Sequence, residues 1–356
     1  MSLSPNEAPA HQAADREILI QMISGSLVAQ LVHVAARLGI ADLLADGAKS
    51  SEELASQVGA HPRSLYRALR ALASLGLFTE RPDGRFELTP LAVPLQAAAP
   101  ESLRALAIMW GDALWPCYGA LLHSVRTGDV AFQHVHGMGL FAYLQQHPQA
   151  GELFNEAMTN LTRPHAAAVL AAYDFAGLRT LADVGGGNGT LIAAILAAYP
   201  HLQGILFEQR DVLDSARQTL ERAGVLPRCT LTEGDFFQAV PQGCDAYVLK
   251  DIIHDWEDER ALVILENCRR AMGAGGRLLL VERAVPPGNA PAAGKLIDVA
   301  MLAITGGCER TEAEYGDLLA RAGLQLTRVV PTPSEMVVVE AVPAGSTASR
   351  GQPRSD

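Results

Sequence analysis

A glycine-rich segment at residues 181–191 has the composition of a loop that binds a cofactor. In its sequence, LADVGGGNGTL, an acid is followed by glycines at alternate positions, the four residues being Asp183, Gly185, Gly187 and Gly189. Glycines at the turn between a strand and a helix let the backbone approach a ligand closely, while helix N–H groups point at it. The dinucleotide pattern GxGxxG, begun at Gly185, requires a glycine where Thr190 stands, so a dinucleotide is not the favoured ligand.

The carboxylate of Asp183 narrows the choice of ligand. At the end of a first strand it would repel a pyrophosphate, but it suits a ligand that carries an ammonium or sulfonium charge. S-adenosylmethionine (SAM) carries both charges and has no phosphate. The pattern DxGxGxG therefore favours SAM, and a glycine-rich turn without a ligand is the alternative.

Acidic side chains also follow the next predicted strands. Glu208 ends the run GILFE, about twenty residues beyond the glycines, where an acid typically binds the hydroxyls of a ribose. In TEGDFF, Asp235 can accept from an adenine amino group, and Phe236 offers an apolar face to the ring. Taken alone, Glu208 could be a surface residue and Asp235 a turn residue. A fourth strand ends in YVLKDIIHDWEDER, which collects Lys250, Asp251, His254, Asp255 and Trp256.

The elements that must position these residues are strands and helices in alternation. After Phe175, short apolar runs alternate with amphipathic helices, which predicts a parallel α/β sheet whose ligands bind beyond the carboxyl ends of the strands. Asp255 is expected to cap the helix that begins at EDERALVILENC. Residues 101–175 are predicted to be mostly helical, with Gly and Pro at the breaks.

The N-terminal part of the chain has a different pattern. From Ile18 to Leu44 apolar residues recur at helical spacing on more than one face, so we expect burial from several sides, one of them supplied by a partner subunit. The residues that follow predict helix, turn, helix and hairpin, an order typical of a winged helix. The signals are a capping box at Ser50 and Glu53, a helix start at Pro62, and a hairpin turn at Asp83-Gly84.

Composition argues against several classes of protein. The chain has 356 residues, 49% of them hydrophobic, and a net charge of −11, which disfavours binding to nucleic acid or an anionic membrane and favours small-molecule partners. Its five cysteines lack CxxC spacing, which predicts neither disulfides nor a zinc cluster and indicates a reducing cytoplasm. The polar N-terminus does not look like a signal peptide, polar residues break the apolar run after it, and no membrane span is expected.

Five motifs, DVGGGNGTL, GDFF, KDIIHDWEDE, VERAV and GGCERTEAEY, together resemble those of the SAM-dependent O-methyltransferases of the plant caffeate/chalcone type and their bacterial secondary-metabolite relatives. The resemblance implies an α/β fold with a Rossmann-like methyltransferase sheet, an N-terminal all-helical, winged-helix-like dimerisation domain, and a homodimer. The expected divisions are a disordered N-terminus at 1–14, the dimerisation domain at 15–100, a helical linker and substrate-pocket region at 101–175, the SAM-binding domain at 176–342 and a disordered tail at 343–356.

The resemblance also implies roles for individual residues. SAM, with S-adenosylhomocysteine (SAH) as its product, would be held by Asp183, Gly185, Gly187, Glu208, Asp235, Phe236, Lys250 and Thr162. His254 would be the general base for methyl transfer to a phenolic hydroxyl, with the carboxylates of Glu282 and Glu309 flanking it. A salt bridge from Glu309 to Arg310 is the alternative for that acid. No metal is expected.

The acceptor pocket would be lined from both domains, mostly by aromatic and sulfur-containing side chains. The candidates are Trp110, Trp115, Phe154, Met158, Trp256, Met301 and Thr305, although Met158 also fits ordinary core packing. Phe141, His134 and His136 lie on a stretch predicted to be a loop, which could cover the site. The HxH pair lacks a third ligand and is a poor metal signal.

Other functions are compatible with the sequence. The second helix of the winged-helix segment places Arg63, Arg67 and Arg70 on one face, as a DNA-reading helix would. Residues 51–90, however, contain five arginines and five acids and so have no net positive charge. A relative of the same fold could also bind SAM without transferring its methyl group, or could methylate a nitrogen or carboxyl group. The presence of His254 with both glutamates favours transfer to a hydroxyl.

Overall fold

The structure is a computed structural model of the 356-residue chain. It describes the backbone of residues 7–273 and 275–345, and the side chains of residues 15–273 and 275–345. The described residues pack as two compact units. The first contains the chain up to Trp115 together with Gln149–Asn160, and the second contains Pro116–Pro148 together with the chain from Leu161.

The first unit is helical with one small antiparallel hairpin. Its main elements are α1 (Glu7–Arg37), α2 (Ile40–Leu43), α3 (Ser51–Val58), α4 (Pro62–Ser74), β1 (Phe78–Glu80), β2 (Phe86–Leu88), the 3-10 helix Pro90–Leu95 and α5 (Arg104–Gly111). The predicted order of helix, turn, helix and hairpin is confirmed. Ser50 and Glu53 exchange the hydrogen bonds of a capping box, Pro62 is the first residue of α4, and Gly84 takes a φ of 79° in the hairpin loop.

Helix α1 begins earlier than predicted. Residues 7–14, assigned to a disordered N-terminus, form its first turns. Pro9 lies in the first turn, where its missing N–H costs no helical hydrogen bond, so it does not prevent the helix. Residues 1–6 lie outside the described residues.

The apolar side chains of α1 are not buried from several sides within this single chain. Met22, Ile23 and Leu27 are 71%, 68% and 67% exposed, and burial in the core of the first unit begins only near Ala35. By length and composition alone, Asp15–Arg37 is apolar enough to cross a membrane. A long helix with exposed apolar side chains needs another surface to cover it.

The second unit is built on a seven-stranded sheet. Its helices are α6 (Trp115–Gly119, which starts in the first unit), α7 (Leu121–Thr127), α8 (Ala131–His136), α9 (Leu140–Gln146), α10 (Pro148–Ala172), α11 (Thr190–Ala198), α12 (Arg210–Arg222), α13 (Asp258–Ala271), α14 (Gly294–Ile304) and α15 (Glu312–Arg321). Its strands are β3 (Thr180–Val184), β4 (Gln203–Glu208), β5 (Cys229–Glu233), β6 (Ala246–Lys250), β7 (Arg277–Arg283), β8 (Leu324–Pro331) and β9 (Met336–Pro343).

The strand order is β5-β4-β3-β6-β7-β9-β8, and the first five strands are parallel, as predicted. The last two differ from the prediction: β9 pairs antiparallel with β7, and β8, which the sequence did not mark as a strand, pairs antiparallel with β9 at the edge. Few side chains of the edge strand β8 are buried, so its sequence lacks the apolar run that marks the inner strands. The predicted disordered tail starts at 343, the last residue of β9, and residues 346–356 lie outside the described residues.

Side chains on the two faces of the sheet enter two separate cores. Leu181 of β3 belongs to the core with α11 and α12, while its neighbour Ala182 belongs to the core with α13 and α15. The chain order of the strands reverses between β3 and β6, which is the switch point where open α/β sheets bind their ligands. The carboxyl ends of β3, β4, β5 and β6 therefore meet at one edge, where the predicted site residues lie.

Residues 101–175 do not form a region of their own. Helix α5 packs on α1 in the first unit, whereas α7 and α8 pack on α14 in the second unit. Helix α10 runs through both units. The predicted helical character of this stretch is confirmed, but its packing partners divide it, and periodicity along the chain carries no information about them.

Candidate active site

The glycine loop between β3 and α11 has the backbone shape that its sequence predicts. Gly185, Gly187 and Gly189 have φ values of 69°, 56° and 78°, a region that favours glycine. A Cβ atom on Gly185 would lie 2.6 Å from Cδ1 of Ile252, which follows β6. The loop therefore lies directly against the segment that leads to His254.

Two acids lie beside this loop, the buried Asp183 and the half-buried Glu208. The side chain of Glu208 accepts hydrogen bonds from the backbone N–H of Gly187 at 3.0 Å and of Gln209 at 2.7 Å. Asp183 is 1% exposed, and one of its oxygens has no partner among the described residues. Burial, followed by the charge of Glu208, raises the pKa of Asp183 to about 7. A buried carboxylate oxygen without a partner among the described residues, beside this glycine loop, fits a cationic ligand such as SAM.

Aromatic side chains lie at the ends of β5 and β6. Cε1 of Phe236 would lie 3.4 Å from a Cβ atom on Gly185, so its ring borders the glycine loop. The ring of Trp256 lies edge-on to two other rings, with its centroid 6.3 Å from that of Phe236 and 4.7 Å from that of Phe237. Asp235 is exposed and accepts from the backbone N–H of Phe237 at 2.8 Å, so it stabilises the turn and keeps further acceptor capacity. The three rings pack on one another beside the glycine loop.

Lys250, at the end of β6, forms an ion pair with the adjacent Asp251. Asp251 also pairs with Arg283 at 3.0 Å and takes a φ of 51°, a strained conformation for a residue other than glycine. Burial opposes ionisation of Asp251, but Lys250, His254 and Arg283 outweigh it and lower the pKa of its carboxyl well below the usual range. Thr162 is half-buried on α10, with no hydrogen bond to the other predicted cofactor residues among the described side chains.

His254 lies in the short 3-10 helix Ile253–Asp255 and is 7% exposed. Its Nδ1 atom is 2.9 Å from Oε1 of Glu309, whose side chain is fully buried, and its Nε2 atom is 3.8 Å from Oδ1 of Asp255. Burial disfavours the imidazolium, but the charge of Asp255 and the hydrogen bond to Glu309 outweigh it and raise the pKa of His254 to about 10. When Nδ1–H donates to the Glu309 carboxylate, the neutral imidazole carries its lone pair on Nε2, which can then take a proton from a ligand.

The alternative of a salt bridge between Glu309 and Arg310 is not what the structure shows. Arg310 pairs with Asp258 at 2.9 Å instead. The predicted cap is also wrong, because α13 begins at Asp258 with Glu257 as its N-cap residue, which leaves Asp255 outside the helix. Asp255 faces His254, and burial raises the pKa of its carboxyl to about 6.

Glu282 lies close to the imidazole, with a carboxylate oxygen within 4.8 Å of a ring nitrogen of His254, but its hydrogen bonds go to backbone N–H groups. Its Oε1 atom accepts from the backbone N–H groups of Ile252 at 3.1 Å and Ile253 at 2.8 Å, while its other oxygen has no partner among the described residues. Burial raises the pKa of Glu282 to about 7. Asp251, His254 and Glu282 have donor atoms within 4.8 Å of one another, close enough to share a metal ion, although Asp251 is already paired with two cationic side chains.

The predicted pocket residues are divided between the two units. Trp256, Met301 and Thr305 lie in the second unit, where Thr305 donates to the backbone oxygen of Met301 at 3.3 Å. Those in the first unit are Trp110, Trp115, Phe154 and Met158. Trp115, Phe154 and Met158 are half-buried, while Trp110 is 40% exposed.

The stretch predicted as a covering loop is helical. His134 and His136 lie in α8, where His134 stacks on His123 at 4.0 Å and His136 packs on Phe132 at 4.4 Å. Phe141 lies in α9, and its ring stacks on that of Trp256 with 5.8 Å between the ring centroids. Phe141 therefore lies beside the candidate site. Short helices between glycines resemble loops in sequence, which explains the difference.

Comparison with known proteins agrees with this geometry. A family model for an O-methyltransferase domain matches residues 118–325, and one for an O-methyltransferase dimerisation domain matches residues 20–96, which supports a homodimer. The chain is 47% identical to phenazine O-methyltransferase PhzM of Lysobacter antibioticus, over 92% of this chain and 96% of that protein. It is 36% identical to 8-amino-8-demethylriboflavin N,N-dimethyltransferase of Streptomyces davaonensis, over 96% of this chain and 98% of that protein.

A solved structure of NcsB1, an O-methyltransferase of neocarzinostatin biosynthesis, resembles this chain with a TM-score of 0.80. It is 33% identical and contains SAM and 2-hydroxy-5-methyl naphthoic acid; the match covers 89% of this chain and 96% of that one. The motifs, the sheet and these matches lead to one conclusion. The chain belongs to the SAM-dependent O-methyltransferases of secondary metabolism.

Proposed function

We propose that this enzyme transfers the methyl group of SAM to a phenolic hydroxyl of a fused aromatic metabolite, with His254 as the general base. The observation that carries the proposal is the buried pair of His254 and Glu309, 2.9 Å apart, which fixes one ring nitrogen and leaves the other free for an acceptor. A nitrogen or carboxyl acceptor would need such a base less. The pair therefore favours a hydroxyl.

Methyl transfer is a displacement at a carbon that the sulfonium of SAM already activates. The protein must align the acceptor with that carbon and remove the proton of its hydroxyl. Nε2 of His254 takes this proton, while Glu309 accepts from Nδ1 and stabilises the imidazolium that forms. A phenol has a pKa of about 10, and the acids around His254 raise the pKa of its imidazole, so the neutral form of the ring is a strong acceptor for the phenol proton.

The cofactor is proposed to bind across the carboxyl ends of β3 to β6. Asp183 and Glu208 would bind its cationic and ribose groups, and Gly185 and Gly187 would leave room for it. Asp235 and Phe236 would hold the adenine, and Phe236 borders Trp256. The proposed roles of Lys250 and Thr162 are to complete the site, with Lys250 already oriented by Asp251.

The acceptor is proposed to be a hydroxylated tricyclic or bicyclic aromatic compound. The relative at 47% identity is a phenazine O-methyltransferase, and the NcsB1 structure holds a naphthoic acid. Among the proposed pocket residues, Met301 and Thr305 accompany Trp256 in the second unit, and Trp115, Phe154 and Met158 lie in the first unit. The dimerisation domain supports a homodimer, in which the exposed face of α1 is proposed to be the contact rather than a membrane span.

Replacing His254 tests this proposal. We expect His254→Ala to lower turnover of a hydroxyphenazine or hydroxynaphthoate by about 10²–10⁴-fold while SAH binding, followed by calorimetry, stays within a few-fold. His61→Asn is the matched control, because His61 caps α4 in the first unit and asparagine can replace that cap. Turnover of His254→Ala close to wild type would reject the base. Preferential methylation of amino over hydroxyl analogues would reject the hydroxyl acceptor.

A further inference from the structure

The turn that carries His254, residues 252–256, is in close contact with a second loop, residues 306–310. Gly307 packs directly against the backbone of the His254 turn. A Cβ atom at position 307 would overlap the backbone oxygen of His254 and the carbonyl carbon of Asp255, and would lie 2.6 Å from the backbone nitrogen of Trp256. These atoms belong to backbone, so they cannot move aside as a flexible side chain would. Only glycine fits at position 307 without displacing the turn.

Arg310 holds the same turn through its carbonyl groups. The side chain is 3% exposed, and its Nη1 atom donates to the backbone oxygen of Ile253 at 3.2 Å while Nη2 donates to that of Trp256 at 3.0 Å. One bond lies on each side of His254. The guanidinium is kept in place by Asp258, which accepts from Nη2 at 2.9 Å, and Nη1 also approaches the oxygen of Cys308 at 3.4 Å.

The opposite side of the turn is held from β7. Glu282 accepts from the N–H groups of Ile252 and Ile253, so buried side chains bind two N–H groups and two carbonyl groups of the turn. The loop 306–310 also supplies Glu309, the partner of the imidazole ring. Glu282 of β7 therefore fixes one side of the His254 turn, and three residues of the loop 306–310 fix the rest: Gly307 and Arg310 act on the backbone, and Glu309 acts on the ring.

We propose that Gly307 and Arg310 form a clamp that fixes the backbone of the His254 turn, so that Nε2 is presented to the acceptor in a reactive orientation. They are positioning residues of the methyl-transfer reaction, and this inference rests on the proposed role of His254 as the base. Orientation matters because a displacement of about 1 Å at a reacting group can cost about 10²-fold in rate. A planar guanidinium can bind two carbonyls at once, which a lysine ammonium cannot do in the same geometry.

Arg310 and Arg321 offer a matched pair of substitutions. Both pair with Asp258, but only Arg310 also contacts the His254 turn. We expect Arg310→Lys and Arg310→Met to lower kcat by about 10–10²-fold with SAH binding changed less than about threefold. Arg321→Met should leave kcat within about twofold of wild type. The loss in the Arg310 variants should shrink for a nitrophenol assayed well above its own pKa, because an ionised acceptor needs no base.

A spectroscopic measurement tests the clamp without any turnover. The Nδ1 proton of a histidine hydrogen-bonded to a carboxylate gives a downfield NMR resonance, and the resonance of His254 should be lost or shifted in Arg310→Lys and kept in Arg321→Met. Gly307→Ala should behave like the Arg310 variants, whereas Gly119→Ala, where a Cβ atom meets open space, should behave like wild type.

The outcomes separate the two proposals. Equal kcat losses in the Arg310 and Arg321 variants, an unchanged His254 resonance in Arg310→Lys, or an equal loss with the ionised acceptor would overturn the clamp. If His254→Ala keeps its turnover, the base assignment fails, and the NMR comparison still decides whether the clamp orients the histidine. Arg310→Lys retains the charge beside Asp258, so the test does not depend on the methionine variant folding.

Discussion

At the scale of single residues, Asp183 carries a clear electrostatic prediction. Burial, with the charge of Glu208, raises the pKa of its carboxyl from 3.8 to about 7. The unfolded chain ionises this group at the lower value, so the folded state loses stability progressively as pH rises between those two values, and the loss is complete above about 7. Asp183→Asn should therefore raise the melting temperature, and by more above pH 7 than at about pH 5. Calorimetry at both pH values measures this.

The same substitution should weaken SAM binding by about 10-fold or more, because the ligand loses an attractive charge in a buried site. Glu233→Gln is the control, since Glu233 also ends a strand of the sheet but is exposed and paired with Arg210. Unchanged SAM affinity in Asp183→Asn, measured by titration calorimetry, would contradict the proposed role of Asp183.

Which residues act on His254 could be predicted only in part. The motif resemblance identified His254 and Glu309, and the structure brings them within hydrogen-bond distance. The sequence could not show that Glu282 binds backbone N–H groups, because that contact depends on how β7 aligns with the turn after β6. The cap at Asp255 was misplaced because several acids follow one another there, and spacing alone does not show which precedes the helix. The contacts of Arg310 have no sequence signal at all.

At the scale of elements, the glycine loop is expected to tolerate no side chain at its first position. Gly185→Ala would strain a φ of 69° and place a Cβ atom 2.6 Å from Ile252. We expect SAM affinity to fall by at least about 10-fold, a loss of about 1.4 kcal/mol. Gly84→Ala is the control, because its φ is 79° but its Cβ atom would meet open space.

That control separates strain from contact. Gly84→Ala should reduce stability by about 1 kcal/mol through backbone strain alone and leave SAM binding unchanged. If Gly185→Ala also bound SAM normally in titration calorimetry, the loop would not be the cofactor site. Thermal unfolding of both variants shows whether the strain itself is comparable.

The elements themselves were largely predictable. Alternating apolar runs and amphipathic helices gave the five parallel strands correctly, and capping signals gave α3 and α4. The edge strand β8 was missed because few of its side chains are buried, and the direction of β9 depends on its connection to β8 rather than on its own residues. Strand direction is a property of the chain path, which periodicity does not describe.

At the scale of the whole molecule, α1 leaves an apolar surface that a second copy is expected to cover. Met22 and Leu27 are 71% and 67% exposed, and burying each would contribute about 1.5–3 kcal/mol to association. Met22→Glu combined with Leu27→Glu should therefore convert a dimer into a monomer. Light scattering across micromolar concentrations measures the mass.

Gln21→Glu is the control for that variant, because it adds charge at an exposed polar position of the same helix. A dimer that persists in the double variant would show that α1 is not the contact. Sedimentation of the wild-type protein with lipid vesicles would show that α1 has a membrane role instead. How the surface of α1 is covered could not be predicted from one chain, because the covering atoms belong to another molecule.

The left-handed backbone at Asp251 limits how this enzyme can vary. Among the residues that the structure describes, Asp251 is the one non-glycine with a positive φ, and it lies between Lys250 and the turn that carries His254. Aspartate, asparagine and glycine adopt this conformation far more readily than branched or bulky residues. Directed evolution toward new acceptors should accordingly find few viable substitutions at this position and many in the surrounding pocket. A variant library should therefore place its diversity at the pocket residues rather than at Asp251.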